Sequence, residues 1–242
     1  MKKYGLIGSS LTHSFSKSFF NDYFLNNAIE ATYHNVEIPT SDKIPSVLSD
    51  NFSGLNITFP YKEEIIPYLD ELSEEAKTIG AVNVVQFING KTIGHNTDAF
   101  GFKQSIKPFL TNLHERALIL GTGGAAKSIN CVLKEIGLTT YYCSRTPNQS
   151  KGIFSYNEIN EYMLKSCKLI INCTPVGTYP NIHDHIDFPF NFLTEEHLVI
   201  DLIYNPSVTA FLEKSKQQGA TIVNGESMLK EQALKSWEIW NS

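Results

Sequence analysis

Ala117-Leu118-Ile119-Leu120-Gly121-Thr122-Gly123-Gly124-Ala125-Ala126 is the stretch that decides the fold. Its four leading apolar residues read as a buried strand, and a glycine cluster follows with no spacer. Beyond the cluster, Ala126, Ile129, Leu133 and Ile136 recur at helical spacing. Strand, glycine turn and helix in that order form a dinucleotide-binding fingerprint. Gly121 serves the tight turn, Gly123 admits a pyrophosphate close to the backbone, and Ala126 is the small residue where helix meets strand. Thr122, Gly124 and Ala125 complete the loop, and the helix start offers its free N–H groups to phosphates.

The end of the next strand should meet the adenosine ribose, where an acidic residue would accept from the 2′-hydroxyl and favour NAD. The chain has Ser144-Arg145-Thr146 instead. A guanidinium pairs with a 2′-phosphate and stacks on adenine, and the two hydroxyls add neutral donors. The expected cofactor is therefore NADP(H).

Outward from this loop, apolar runs alternate with helical patterns, the rhythm of an α/β protein with parallel strands. Strands are expected at 117–120, 139–143, 169–172, 198–202 and 221–223. A last helix from Glu226 to Trp240 carries Leu229, Ala233, Trp237 and Trp240 on one face, explained by packing against the protein's own core. Before the loop, strands are expected at 4–7, 32–38, 54–58, 81–88 and 91–94, the last two joined at Asn89-Gly90 by a tight turn with φ > 0. Helices fall at 17–27, 41–48 and 73–79, and another follows the capping sequence Asn96-Thr97-Asp98. The connecting loop 111–115 divides the chain into 1–112 and 113–225, with the last helix, about 226–242, packing back onto the first part.

The 242 residues suffice for two modest domains, and 42% hydrophobic with 19% charged residues is ordinary for a folded protein. A net charge of −5 provides no basic footprint for nucleic acid or for a membrane surface. The apolar run after Lys2-Lys3 is too short for a signal peptide, and no stretch approaches a transmembrane span. Cys131, Cys143, Cys167 and Cys173 lack C-x-x-C spacing and read as small buried residues of a cytoplasmic protein.

Four polar clusters end predicted strands of the first half, where open α/β sheets place ligands. They are Gly8-Ser9-Ser10-Leu11-Thr12-His13-Ser14-Phe15-Ser16, Gly54-Leu55-Asn56-Ile57-Thr58-Phe59-Pro60-Tyr61-Lys62, Gly80-Ala81-Val82-Asn83 and Gly94-His95-Asn96-Thr97-Asp98. In this order they resemble the shikimate dehydrogenase family, N-x-T-x-P-x-K followed by N-T-D being the most specific part. The resemblance runs through Ile171-Asn172-Cys173-Thr174-Pro175-Val176-Gly177, Asp201-Leu202-Ile203-Tyr204-Asn205-Pro206 and Gly225-Glu226-Ser227-Met228-Leu229-Lys230-Glu231-Gln232-Ala233, covering nearly the whole chain.

That resemblance implies an N-terminal α/β substrate domain with a mostly parallel sheet, a C-terminal Rossmann-like NADP-binding domain, and a cleft between them. It implies reversible reduction of 3-dehydroshikimate to shikimate by NADPH, in the route to chorismate and aromatic amino acids. Ser14 and Ser16 would hold the substrate carboxylate. Thr58, Asn83, Asp98 and Gln232 would contact ring hydroxyls, and Tyr204 would help line the site. Thr174 and Gly225 would join the glycine loop and Ser144-Arg145-Thr146 around the cofactor. Lys62 and Asp98 would be the catalytic pair, which suits the chemistry: hydride delivery to a ketone builds negative charge on oxygen, and an ammonium both stabilises that charge and supplies the proton. A free lysine pKa of about 10.4 suits an acid.

The chain departs from the family at Lys17, Val84, Ser144, Ala99 and Asn224, where proline, threonine, asparagine, glycine and aspartate are common. None of these removes a catalytic group. His13 is expected to order its loop rather than to catalyse. His183-Asp184-His185 lies in a turn-like stretch without ligand spacing, so no metal is expected. The partner is then a small molecule alone, and the chain a monomer or homodimer. Two rival readings are a quinate/shikimate dehydrogenase that also takes NAD and a non-catalytic dinucleotide-binding regulator. Lys62 with Asp98 argues against the second; Ser14, Ser16 and Gln232 argue against a methylenetetrahydrofolate dehydrogenase.

Overall fold

Parallel pairing of the first strand with two neighbours organises the first half of the computed structural model, which describes residues 1–12 and 14–242. The chain forms two units, residues 1–101 with 229–242 and residues 102–228. In the first, β1 (Lys2–Gly8), α1 (Phe15–Asn26), β2 (Ala31–Glu37), α2 (Ile44–Leu48), β3 (Gly54–Ile57), β4 (Glu71–Leu72), α3 (Glu74–Ile79), β5 (Val84–Ile88), β6 (Lys91–His95) and the start of α4 (Asp98–Ile106) follow in turn. The sheet order is β2-β1-β3-β5-β6-β4. It is mixed: β5 runs antiparallel to both β3 and β6, and the other pairs are parallel.

The local causes are visible in the residues. Ser14 caps α1 by accepting from the Lys17 N–H, and Ser73 caps α3 by accepting from the Ala76 N–H. Asn89 and Gly90 take φ of 53° and 76°, the left-handed pair that a two-residue hairpin demands. The strand expected to begin at Ala81 begins at Val84, because Ala81 to Asn83 make irregular contacts instead: the Val82 N–H donates to the Lys62 carbonyl and the Asn83 N–H to that of His95. That irregularity turns the Asn83 side chain into the site.

The second unit continues with β7 (Arg116–Leu120), α5 (Gly124–Glu135), β8 (Thr139–Cys143), β9 (Ile153–Phe154), α6 (Glu161–Ser166), β10 (Leu169–Asn172), β11 (Leu198–Asp201), α7 (Ala210–Gln217) and β12 (Thr221–Val223). Its sheet is parallel throughout, in the order β12-β11-β10-β7-β8-β9. Strands β7 to β9 lie on one side of the centre and β10 to β12 on the other, the doubly wound arrangement of dinucleotide-binding domains, with the switch point between β7 and β10. The β7 and β10 cores, Ala117 to Leu120 and Leu169 to Asn172, are fully buried, as a sheet covered on both faces requires. The two-residue strands β4 and β9 carry too short a pattern to read from sequence.

Helix α8 (Glu226–Trp240) passes from the second unit into the first at Leu229, and the earlier division falls inside α4 rather than in the loop 111–115. Trp240 packs against Tyr4 and Phe20 at 4.8 and 5.3 Å between ring centroids, and its indole N–H donates to the Val85 carbonyl. The ring lies where a Cβ on Gly54 would stand, 2.4 Å away, so β3 accepts only glycine there. Among the described residues no helix is long and apolar enough to cross a membrane. Among the described residues no two cysteines form a disulfide; burial pushes the Cys143 thiol up to about 12 and that of Cys167 to about 11.

Candidate functional site

In the first unit the ends of β3, β5 and β6 bring polar side chains together beneath α8. Lys62 follows β3 after a turn, and its Nζ donates to Asp98 Oδ2 at 2.6 Å. The lysine side chain is 18% exposed and the aspartate 3%. Asp98 opens α4, whose start is capped by the Asn96 side chain accepting from the Ala99 N–H. The other carboxylate oxygen, Oδ1, accepts from Asn83 Nδ2 at 3.0 Å. Asn83 is fixed from behind, because its Oδ1 accepts from the Thr97 N–H at 2.7 Å.

A cavity of about 90 Å3 opens above this pair, lined by Ser16, Asn56, Thr58, Lys62, Asn83, Gln232 and Ser236 with Leu6, Phe20, Ile57, Leu229 and Ala233. Five expected site residues, Ser16, Thr58, Lys62, Asn83 and Gln232, therefore meet on one wall system, with Asp98 bonded directly behind Lys62. Gly8 helps admit Thr58: a Cβ there would stand 2.7 Å from the threonine methyl. Ser14 does not line the cavity; it caps α1 two residues before Ser16, at the helix end where a carboxylate is favoured. His13 lies outside the described residues, and so does its expected part in ordering the loop.

Buried hydrogen bonds tie Asn56 and Ser236 of the wall to groups behind it. Tyr33, 1% exposed, donates to Asn56 Oδ1 at 2.7 Å, and burial holds its phenol well above the ordinary range. Asn56 Nδ2 donates to the Asn83 carbonyl at 3.2 Å and to Ser236 Oγ at 3.1 Å. Asn56 and Thr97 sat inside motifs noticed in the sequence. Tyr33 and Ser236 carried no signal, since only the fold places β2 and α8 next to β3.

The second unit holds the expected cofactor residues, and Tyr204 lies in this unit too. Gly121 has φ +103°, and a Cβ there would stand 3.1 Å from the Thr174 methyl, which places Thr174 against the loop. Thr174 is itself held by Asn172, whose Oδ1 accepts from its hydroxyl at 2.7 Å and its N–H at 3.0 Å. No side chain caps α5 at Gly123, and a Cβ at Gly123 would meet only open space. An uncapped helix start behind an open glycine fits a diphosphate. Ser144 Oγ accepts from the Thr146 N–H at 3.3 Å, a small turn that leaves Arg145 exposed at the end of β8. At Gly225 a Cβ would stand 2.0 Å from the Leu202 carbonyl oxygen, so this turn passes too close to β11's exit for any other residue.

Asp201, at the end of β11, is fully buried with neutral donors alone: Asn172 Nδ2, the Ile203 N–H and the Thr209 hydroxyl. Burial raises its pKa to about 6. Among the described residues no group of three His, Cys, Asp or Glu is placed to hold a metal ion.

Comparison with known proteins bears on this geometry. Residues 6–85 match the family described as shikimate dehydrogenase substrate binding domain. A Staphylococcus haemolyticus protein named shikimate dehydrogenase (NADP(+)) is 37% identical over 98% of this chain and 92% of its own length. The crystal structure of the Thermus thermophilus shikimate 5-dehydrogenase in complex with NADP(H) and shikimate superposes with a TM-score of 0.87 at 30% identity, covering 99% of this chain and 93% of that one. That of the Listeria monocytogenes enzyme, in complex with shikimate and NAD, gives 0.85 at 26% identity, covering 100% and 92%.

Proposed function

This chain belongs to the shikimate dehydrogenase family, and from that premise we propose that it reduces 3-dehydroshikimate to shikimate, reversibly, with NADPH. The step belongs to chorismate and aromatic amino-acid biosynthesis. The observation that carries the reading is the sheltered Lys62–Asp98 pair facing a cavity walled by hydroxyls and amides. An ion pair with so little access to water adds little net stability once desolvation is set against Coulomb attraction. Chemistry is the better account of it.

NADPH, when bound, supplies the hydride; the second unit, residues 102–228, would hold it through Gly121, Thr122, Gly123, Gly124, Ala125, Thr174 and Gly225. Ser144, Arg145 and Thr146 take the adenosine 2′-phosphate. The first unit, residues 1–101 with 229–242, binds the polyhydroxy acid: Ser14 and Ser16 hold the carboxylate, and Thr58, Asn83, Asp98 and Gln232 contact the ring and its hydroxyls. As the carbonyl carbon gains hydride, Lys62 Nζ stabilises the charge growing on oxygen and gives up its proton there, closing a CH–OH bond set. Asp98, hydrogen-bonded to Nζ, keeps the ammonium aimed at that oxygen. A site of committed donors and acceptors rejects acids that lack the hydroxyls, because its own polar groups would be left unpaired.

The enzyme works in the cytoplasm on this small molecule, as a monomer or homodimer, without nucleic acid or membrane. Steady-state kinetics with shikimate and quinate, each with NADP and NAD, test the reading. Turnover highest with shikimate and NADP supports it. Equal use of quinate and NAD replaces it by the broader quinate/shikimate activity, and no turnover with any pair leaves a dinucleotide-binding regulator.

A further inference from the structure

Ser236 is 0% exposed, lies on α8 one turn after Gln232, and touches the cavity. Three polar neighbours surround its hydroxyl: the Gln232 carbonyl at 2.8 Å, Asn56 Nδ2 at 3.1 Å and Thr97 Oγ1 at 3.3 Å. The directions of these bonds are forced. A carbonyl only accepts and an amide nitrogen only donates, so Ser236 gives its single proton to Gln232 and accepts from Asn56. With that proton spent, Thr97 must be the donor to Ser236. Thr97 Oγ1 then accepts from Asn83 Nδ2 at 3.1 Å.

Asn83 Nδ2 has two protons and three acceptors within reach: Thr97 Oγ1 at 3.1 Å, Asp98 Oδ1 at 3.0 Å and Gln232 Oε1 at 3.3 Å. The hydroxyl chain takes one proton and the carboxylate the other. Gln232 Oε1, the most distant, is left on the cavity wall with both lone pairs open to substrate. We propose that Ser236 is a positioning residue of the substrate site: through Thr97 and Asn83 it keeps Gln232 Oε1 free to accept from a substrate hydroxyl, and it holds the Asn56 amide on the wall. This rests on the cavity being the shikimate site.

Without the Ser236 hydroxyl, Thr97 loses its acceptor and turns its proton to Asn83 Oδ1, 3.4 Å away. Asn83 then has a proton to spare for Gln232, and Oε1, now shared with that amide, becomes a weaker acceptor for the substrate hydroxyl. Nothing in that change touches Lys62, so binding should suffer and the chemical step should not.

The test compares shikimate KM and kcat at saturating NADP for the wild-type enzyme, Ser236→Ala and Ser236→Thr, with Thr97→Val cutting the same chain from its other side. Threonine in a helix keeps its hydroxyl on the i−4 carbonyl, so it restores the chain. The expected result is a KM about five- to tenfold higher in Ser236→Ala and Thr97→Val, the order set by a buried donor losing its acceptor, with kcat within about twofold and Ser236→Thr close to wild type. A KM within about twofold of wild type in both chain-breaking variants overturns the proposal. So does a threonine variant as impaired as alanine, or a kcat that falls with KM unchanged. Absence of shikimate turnover by the wild-type enzyme overturns the reading of the site, and this proposal with it.

Discussion

Asp98 and Asp201 are the same residue in comparable places, each buried close to the end of a strand in its own unit, yet they are handled in opposite ways. Asp98 has an ammonium at 2.6 Å and one amide donor. Asp201 has three neutral donors and no cation among its hydrogen-bond partners, and its pKa rises to about 6. The neutral donors tie β10, β11 and the start of α7 together, and a protonated carboxyl serves that purpose nearly as well as an ionised one. Under the proposed function, the lysine partner of Asp98 makes charge available where the reaction needs it. What a buried carboxylate does is decided by its partner, more than by its burial.

The largest effect expected from this contrast is on Lys62. Lys62→Ala should lower kcat by about a thousandfold, within the range of lost general-acid catalysis, while the shikimate KM changes far less. Near-normal kcat with a raised KM would reduce Lys62 to a binding group and dissolve the distinction drawn above. The counterpart in the second unit is Asp201→Asn, read as stability against pH. A folded pKa raised from 3.8 to about 6 makes Asp201's contribution fully present below about pH 4 and lost as pH rises through 6. Two pKa units correspond to about 3 kcal/mol. Urea unfolding from pH 4 to 7 should therefore show the asparagine variant gaining about that much on the wild-type protein; parallel curves would mean that Asp201 is ionised throughout.

Smaller effects separate the sites of the two units. Ser14→Ala with Ser16→Ala should raise the shikimate KM by about tenfold or more, through lost hydrogen bonds to a charged group, and leave the KM of NADP alone. An unchanged shikimate KM would remove both serines from the carboxylate site. Arg145→Ala should narrow the preference for NADP over NAD by about tenfold, measured as the ratio of kcat/KM values, with shikimate KM untouched. A preference that stays constant would assign the 2′-phosphate to other groups.

The two units were also unequally legible. In the second, five strands and α5 could be read, because strand, Gly121–Gly124 and helix are adjacent in sequence, while β9, α6 and α7 are short and went unplaced. Arg145 announced itself by standing where an acidic residue would otherwise be. In the first unit Lys62, Asn83 and Asp98 were visible as motif residues, yet nothing local said that the three touch. Ser236 and Tyr33 escaped because their roles arise from pairings distant in sequence, β2 and α8 with β3. The boundary of the units was legible only to within a helix, since α4 and α8 each run continuously from one to the other and no loop marks the change.

Helix α8 has a consequence for biosynthesis of the chain itself. Residues 229–242 leave the ribosome after all of 102–228, although they complete the unit that begins at residue 1. Domains ordinarily mature in the order of their synthesis. Here the order is reversed: the later-synthesised nucleotide unit has its full sequence first, while Gly54 waits for Trp240 and Asn56 for Ser236. The nascent protein therefore has the whole sequence of its second unit before that of its first, and a chain cut before residue 229 lacks Gln232, Ser236 and Trp240, the α8 residues that complete the cavity and its core.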